Sequence, residues 1–540
     1  MPQGIPEQHT AADDTLPPAT AKRRKRRIPV IGDWRGLMEV DPAELERAPG
    51  LTNDGRLKSG RLAGLTMGRA IWVLCWPILV ESCLNSLVGL TDTVLAAQLG
   101  TDETDAIGSA AYVMWFIGLI VMAIGVGSTA LVSRAVGRGR LAVANTAVGQ
   151  SVTLAASAGA LVGIAIWLVA GPVAGVLTNT EGGERAFATY LRWQAAAAPA
   201  TSVLFVGIAC VRGAGDSARP LGVMAVVNVI NIFTSWALAG ADITRSVVDG
   251  ESVEPIVVLA NPFPFDMGVA GIAVGTFASH TVGAVLMLWL MVRGSHGVRL
   301  RRRRLRPHWH TMHRLVRVGL PNFFETLGMW AGNFLVLMMV VWLHAAGGTT
   351  GAHVVAIRIE AFSFLPGFAI SMAAATLVGQ YLGAGSVTLA RRAVVRCTLL
   401  ASGIMGVLGL ALVAFPAQIV SVLSAQPEHF AMVPPLLVVC GSVQVPFAVA
   451  IVLRGALRGA GDTKAVMWIT WVTTYVVRLP LAYLLSGVQV PIGDGERLPH
   501  PLFDEPTLTG LWIGLCVEII ARAVIFAWRF ARGGWADAKV

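Results

Sequence analysis

Few groups in this chain could carry charge or protons through a membrane, and they sit where charge is expensive. Glu81, Asp92, His280, Glu325, Arg358, Glu360, Arg478, Glu518 and Arg522 all fall within long apolar stretches. A charged side chain in hydrocarbon costs several kcal/mol unless it is paired or hydrated, so each of these residues needs a partner, water or a function. A buried carboxylate can hold a cation, or it can take up and release a proton. An arginine beside it can instead neutralise it permanently.

Spacing sorts these residues. Glu81 and Asp92 are 11 residues apart, which at about 100° per residue leaves them roughly 20° apart around a helix, so both face one cavity. Glu81 lies near mid-depth and Asp92 nearer the outer end. Glu518 and Arg522 stand at i, i+4 in the favoured orientation, and Arg358 is two residues from Glu360. These, with Arg478, are candidates for structural ion pairs. Glu325 has no evident local partner. Glu325 and Glu81 are therefore the stronger candidates for titration or for meeting a cationic substrate, with Glu360 a further carrier.

The elements that position these groups are membrane spans. With 55% hydrophobic and 14% charged residues over 540 positions, and a mean hydropathy of +0.65, the composition excludes a soluble globular surface. A span needs about 20 apolar residues. Twelve such stretches start near Met67, Ala106, Ala144, Ala186, Pro220, Met267, Leu315, Val354, Arg391, Phe430, Ala465 and Leu508. They form two copies of one unit, because Arg212-Gly213-Ala214-Gly215-Asp216-Ser217 returns as Arg458-Gly459-Ala460-Gly461-Asp462-Thr463, an offset of 246. Gly137-Arg138-Gly139 and Gly383-Ala384-Gly385 share that offset, and Pro77-x-x-x-Glu81 answers Pro321-x-x-x-Glu325 at 244. Duplicated halves are the hallmark of secondary transporters. The expected fold is an all-α polytopic membrane protein of twelve transmembrane helices in two pseudo-symmetric halves.

Charge orients the spans. The segment Arg293 to Arg317 holds nine arginines and no acid, which places this linker in the cytoplasm. The even-numbered loops are also basic, whereas the odd-numbered loops carry Asp102-Glu103-Thr104-Asp105, five acids between Asp242 and Asp266, and four between Asp494 and Glu505. Both termini are therefore expected in the cytoplasm of a multi-pass plasma (inner) membrane protein. The expected organisation is a largely disordered polybasic arm (1–66), a six-helix N-lobe (67–293), a basic linker (294–313), a six-helix C-lobe (314–532) and a tail (533–540). The net charge of +10 reflects this topology rather than nucleic-acid binding, and the run Lys22 to Arg27 is read as a juxtamembrane arm rather than a nuclear signal. The arm lacks a signal-peptide pattern, so the first span serves as the insertion signal.

Other chemistries find little support. Cys75, Cys83, Cys210, Cys397, Cys440 and Cys516 fall in spans without metal or disulfide spacing, and His308, His310 and His313 lie among arginines that repel a cation. No phosphate-binding loop of the Walker type is present, so no enzyme activity and no cofactor is expected beyond a coupling ion, H⁺ or Na⁺. Pro366, Pro446 and Pro480 remove helical hydrogen bonds and mark bends. Each Arg-Gly-Ala-Gly-Asp run reads as a helix end, with glycine in a left-handed turn and arginine facing the cytoplasm.

The stretch Val354-Val355-Ala356-Ile357-Arg358-Ile359-Glu360, with Leu365-Pro366-Gly367 and Ala373 to Gly385, resembles the eighth helix and following loop of the multidrug and toxic compound extrusion (MATE) transporters. So do Pro77, Glu81 and Leu90-Thr91-Asp92-Thr93 in the first span, and both Arg-Gly-Ala-Gly-Asp turns. The resemblance covers about Gly68 to Arg532. It implies two six-helix lobes around a central cleft, with alternating access driven by a proton or sodium gradient. It also implies that Asp92 and Asn231 belong to an N-lobe cation site. The chain departs from the pattern at Ser235, where related members place an aspartate, and Phe430 to Leu453 contains no acid.

Sodium needs several oxygen ligands and preferably more than one formal charge, whereas a proton needs one group. The reading is therefore a cation-coupled antiporter, protons favoured over sodium, with Asp92, Asn231 and Ser235 at the ion site. Its partners would be small organic, cationic amphipathic compounds and the lipid bilayer, and it would work as a monomer. A lipid-linked precursor or polysaccharide flippase is the alternative, kept open by Arg358 and Arg478. A channel or receptor is a second.

Overall fold

The computed structural model describes residues 42–538 apart from 179, 250–251, 295–296, 344–347, 424–425, 494–495, 499 and 504. The polybasic run Lys22 to Arg27 lies outside the described residues. Among those described, eleven helices are long and apolar enough to cross a bilayer: α1 (Met67–Leu99), α2 (Thr101–Gly137), α3 (Leu141–Leu177), α4 (Glu181–Gly213), α5 (Ala218–Ala239), α6 (Val269–Arg293), α7 (Trp309–Trp342), α8 (Thr349–Ala384), α9 (Val387–Ala414), α11 (Thr463–Ser486) and α12 (Leu508–Ala531). The tenth span, α10, is a pair, Pro427–Ser442 and Gln444–Gly459, bent by 58°.

Two of the three proline bends have visible consequences. Pro446 cannot donate to the carbonyl of Ser442, and α10 breaks at the intervening Val443. Pro480 leaves the Val476 carbonyl without its usual donor, and residues Thr473–Arg478 of α11 adopt a π-helical turn. Pro366 lies inside a continuous α8. Several helices begin before the apolar windows do: α2 starts at Thr101 and α7 at Trp309, because helical backbone runs on into polar residues at the interface. The twelve spans are helical, but both acidic insertions form small antiparallel hairpins, β1 (Ile243–Asp249) with β2 (Ser252–Leu259) and β3 (Val490–Gly493) with β4 (Glu496–Leu498). They occupy equivalent loops of the two halves.

The N-lobe core joins α2, α3, α4 and α6 around Phe187, Leu191, Leu204 and Met287. In the C-lobe, α8, α9 and α10 share a core around Leu377, Val394 and Leu457. The lobes touch along α1, α2, α7 and α8, from an edge contact of Phe116 on Phe323, ring centroids 6.4 Å apart, to the arginine-rich loops. Small residues permit the contact, since a Cβ on Gly137 would lie 2.0 Å from the Gln380 carbonyl oxygen and one on Gly383 2.3 Å from that of Arg134. Arg134 of α2 then donates to the Ala460 and Ala538 carbonyls, both at 2.9 Å, tying the N-lobe to the C-lobe and to the C-terminal tail.

Residues 42–66 correct the expectation of a disordered arm over that range. They fold across the arginine-rich end as a strap with a short helix, Pro42–Glu46. Ala48, Leu51, Leu57 and Leu62 are buried there, and these four apolar side chains supply the anchor that composition alone dilutes. The strap holds both lobes: Glu44 accepts from Ser386 and Thr388 of the C-lobe, and Arg61 pairs with Asp216 of the N-lobe. The tail also packs, with Trp535 buried and stacked on Phe530 at 5.0 Å.

Candidate functional site

Each lobe carries the same buried ion pair. In the N-lobe, Glu81 of α1 accepts from Arg212 Nη2 at 2.7 and 2.8 Å. In the C-lobe, Glu325 of α7 accepts from Arg458 Nη2 at 2.8 Å and from Arg454 Nε at 2.6 Å. Thr470 adds a hydroxyl at 3.0 Å. Arg212 and Arg458 are the arginines of the duplicated turns, so they do not face outward as the turn chemistry suggests; the side chains fold back into their own lobes. The turns themselves keep the expected glycine geometry, with φ of 92° at Gly215 and 85° at Gly461. Glu325 is therefore not a free acid. Its partners stand more than a hundred residues away in the chain, beyond any local spacing rule, but the near-equal separation of glutamate and turn arginine, 131 residues in one half and 133 in the other, is a signal that could have found Arg458.

Glu518 of the C-lobe is paired as well. Glu518 accepts from Arg522 Nε at 2.7 Å and lies 3.7 Å from Arg478, and Arg478 Nη1 donates to Asn333 at 2.5 Å. Thr473 and Thr474, in the π-helical turn, accept from Arg522 at 3.1 Å. Arg358 does not pair with Glu360: it points outward on the exposed face of α8, while Glu360 turns toward Arg478 and Cys440. Two residues along a helix correspond to roughly 200°, which sets the two side chains on opposite faces.

Asp92 stands apart. It is 3% exposed, and among the described residues it forms no ion pair. Its carboxylate accepts from the Tyr190 hydroxyl of α4 at 2.8 Å and from the Thr276 hydroxyl of α6 at 3.1 and 3.2 Å. Asn231 Nδ2 of α5 donates to Thr276 Oγ1 at 3.0 Å and to Ser235 Oγ at 3.4 Å. Ser235 donates on to the Ile272 carbonyl at 3.2 Å; it lies behind Asn231 and does not bond Asp92. The α5–α6 contact is close here, since a Cβ on Gly275 would lie 2.1 Å from Ser235 Oγ. Asn231 Oδ1 and Asn228 Oδ1 are buried acceptors without hydrogen-bond partners among the described residues. Four helices thus converge on one carboxylate through neutral groups, and Tyr190 and Thr276 had no distinguishing sequence pattern. His280 is buried nearby on α6, bonded to Thr201 at 2.9 Å.

A carboxylate with only neutral partners can exchange a proton or hold a small cation; one clamped by arginine is already neutralised. Among the described residues of the spans, Asp92 is the fully buried acid with the first setting; Glu360, half-buried, also forms no ion pair but has the Arg478 charge within electrostatic reach.

The chain resembles known transporters over most of its length. The MatE family model matches residues 77–237 and 321–484, the two halves that carry these pairs. The probable multidrug resistance protein NorM of Thermotoga maritima is 27% identical over 465 residues, covering 86% of this chain and 92% of that protein. The uncharacterized transporter YisQ of Bacillus subtilis is 20% identical over 467 residues, 86% and 94% of the two chains. A crystal structure of MATE in complex with MaL6 superposes with a TM-score of 0.75 at 19% identity, over 88% of this chain and 98% of that one. The chain belongs to the MatE family, the multidrug and toxic compound extrusion transporters.

Proposed function

We propose that this protein is a proton-coupled antiporter that exports organic, cationic amphipathic compounds across the plasma (inner) membrane by alternating access, with Asp92 as the group that binds and releases the coupling proton. The observation that carries the reading is the setting of Asp92: a buried carboxylate held by Tyr190 and Thr276 with no ion pair among the described residues, in a lobe where Glu81 is already neutralised. The resemblance to a probable multidrug resistance protein supports export of small organic molecules. The single chain supplies both lobes, which supports a monomer, and the arginine-rich end is read as cytoplasmic from its charge.

Lobe contact at the arginine-rich end and exposed polar positions such as Asn85, Ser86 and Thr93 in the other half of α1 support a cleft open to the outside. Sodium is the second reading, favoured by the unpartnered carbonyl oxygens of Asn228 and Asn231, which could ligate it alongside Asp92. Flippase activity is less well supported, because Arg454, Arg458, Arg478 and Arg522 all pair with Glu325 or Glu518 rather than standing ready for pyrophosphate. Efflux of a panel of cationic dyes from proteoliposomes under an imposed gradient tests the proposal. Saturable, gradient-dependent extrusion by wild type and none by Asp92→Asn is the expected result; extrusion by Asp92→Asn at the wild-type rate contradicts it.

A further inference from the structure

At the arginine-rich end, away from Asp92, a cavity of about 220 Å³ opens between the strap, the end of α8 and the start of α9. Arg56 of the strap and Arg392 and Arg396 of α9 line it. Arg392 and Arg396 are one turn apart, where like charges repel, and neither forms an ion pair among the described residues. Asp54 is the single acid on the wall, so three arginines against one aspartate leave an excess of two positive charges.

Tyr381 of α8 reaches the same cavity. It is 2% exposed, its hydroxyl has no hydrogen-bond partner among the described residues, and Arg396 lies within electrostatic reach of it. A hydroxyl donor that opens onto a cationic wall suits an anionic acceptor. Leu65, Met67 and Leu389 line the rest of the wall with Gly55 and Thr66. Further along the same helices, α1 presents exposed Trp72 and Trp76 and α9 presents exposed Leu399 and Leu400, surfaces that suit acyl chains.

We propose that this cavity binds the phosphate of an anionic phospholipid. The three arginines oppose its charge, the Tyr381 hydroxyl donates to a phosphate oxygen, and the acyl chains run along the apolar faces of α1 and α9. Basic clusters on the cytoplasmic side meet a leaflet rich in such lipids. Because the strap holds both lobes, through Glu44 and Arg61, a lipid bound against it also braces the lobes in the arrangement closed at this end.

The full-length protein in phosphatidylcholine nanodiscs, with or without phosphatidylglycerol, provides the test, read by native mass spectrometry of retained lipid and by the thermal midpoint. Wild type should retain phosphatidylglycerol over phosphatidylcholine and melt higher with it. Arg392→Gln/Arg396→Gln should lose that preference by roughly tenfold or more. The linker variant Arg302→Gln/Arg303→Gln should keep it, and Tyr381→Phe, which conserves shape, should weaken it a few-fold. Glycerol phosphate added to phosphatidylcholine discs should not raise the midpoint. Wild-type retention by Arg392→Gln/Arg396→Gln, an equal loss in the linker variant, or full stabilisation by glycerol phosphate overturns the proposal. Should the double variant fail to fold, unchanged retention by Tyr381→Phe overturns it.

Discussion

Tyr190 donates its hydroxyl to Asp92 Oδ2 at 2.8 Å, bridging α4 and α1 at a buried carboxylate of the spans that Arg212 does not reach. Arg212 is committed to Glu81, 11 residues earlier on the same helix. The two acids share the interior of one lobe and differ in what neutralises them. That difference is what the proposed proton-exchanging role of Asp92 rests on.

Removing the charge at Asp92 should stop coupling without disturbing the fold. Asp92→Asn conserves shape and the amide can still bond Tyr190 and Thr276, so gradient-driven efflux should fall to background at wild-type expression and thermal midpoint. Efflux assays on matched vesicles, with size-exclusion profiles as the control, check this.

Loosening the site should weaken it by degrees. Tyr190→Phe removes one hydrogen bond, worth about 1 kcal/mol, and should slow efflux roughly five- to tenfold at that value, while leaving assembly intact. Initial rates at fixed gradient measure it; an unchanged rate would remove Tyr190 from the site.

The paired glutamates should behave in the opposite way. Arg212→Ala leaves Glu81 buried without a partner, a change that costs about 3–5 kcal/mol when a buried pair is broken. Its thermal midpoint in detergent should drop steeply. The double variant Glu81→Gln/Arg212→Gln should recover most of the loss, and Glu325 with Arg458 should show the same coupling. Equal destabilisation by the single and double variants would contradict the structural assignment.

Close packing at α5–α6 makes a further prediction. A methyl at Gly275 would lie 2.1 Å from Ser235 Oγ, so Gly275→Ala forces the helices apart at a cost of about 1–3 kcal/mol. It should displace Asn231 and Thr276 and lower efflux more than Gly222→Ala on α5, where a Cβ meets nothing within 4 Å.

The spans, the duplication and the place of Asp92 were legible in the sequence because hydropathy and a repeat offset are both one-dimensional signals. The pairing of Glu325 with Arg454 and Arg458 was not, since α7 and α10 meet only in the folded lobe. The direction of Arg212 was misread for a related reason: a turn that ends a helix fixes the backbone, whereas the long arginine stem reaches back several ångströms to the nearest buried acid. Tyr190 and Thr276 carried no pattern at all, being ordinary residues of apolar helices until α4 and α6 bring them to Asp92. The fold of residues 42–66 escaped a compositional reading because Ala48, Leu51, Leu57 and Leu62 gain their burial from the ends of other helices.

The identity of the coupling ion is tested most directly by proteoliposomes loaded with a cationic dye, with membrane potential clamped, given either an inward proton gradient without sodium or an inward sodium gradient at equal pH on both sides. Dye extrusion under the proton gradient, little under sodium, and neither in Asp92→Asn is the predicted result. Robust sodium-driven extrusion at fixed pH would contradict it and would make Asn228 and Asn231 sodium ligands beside Asp92.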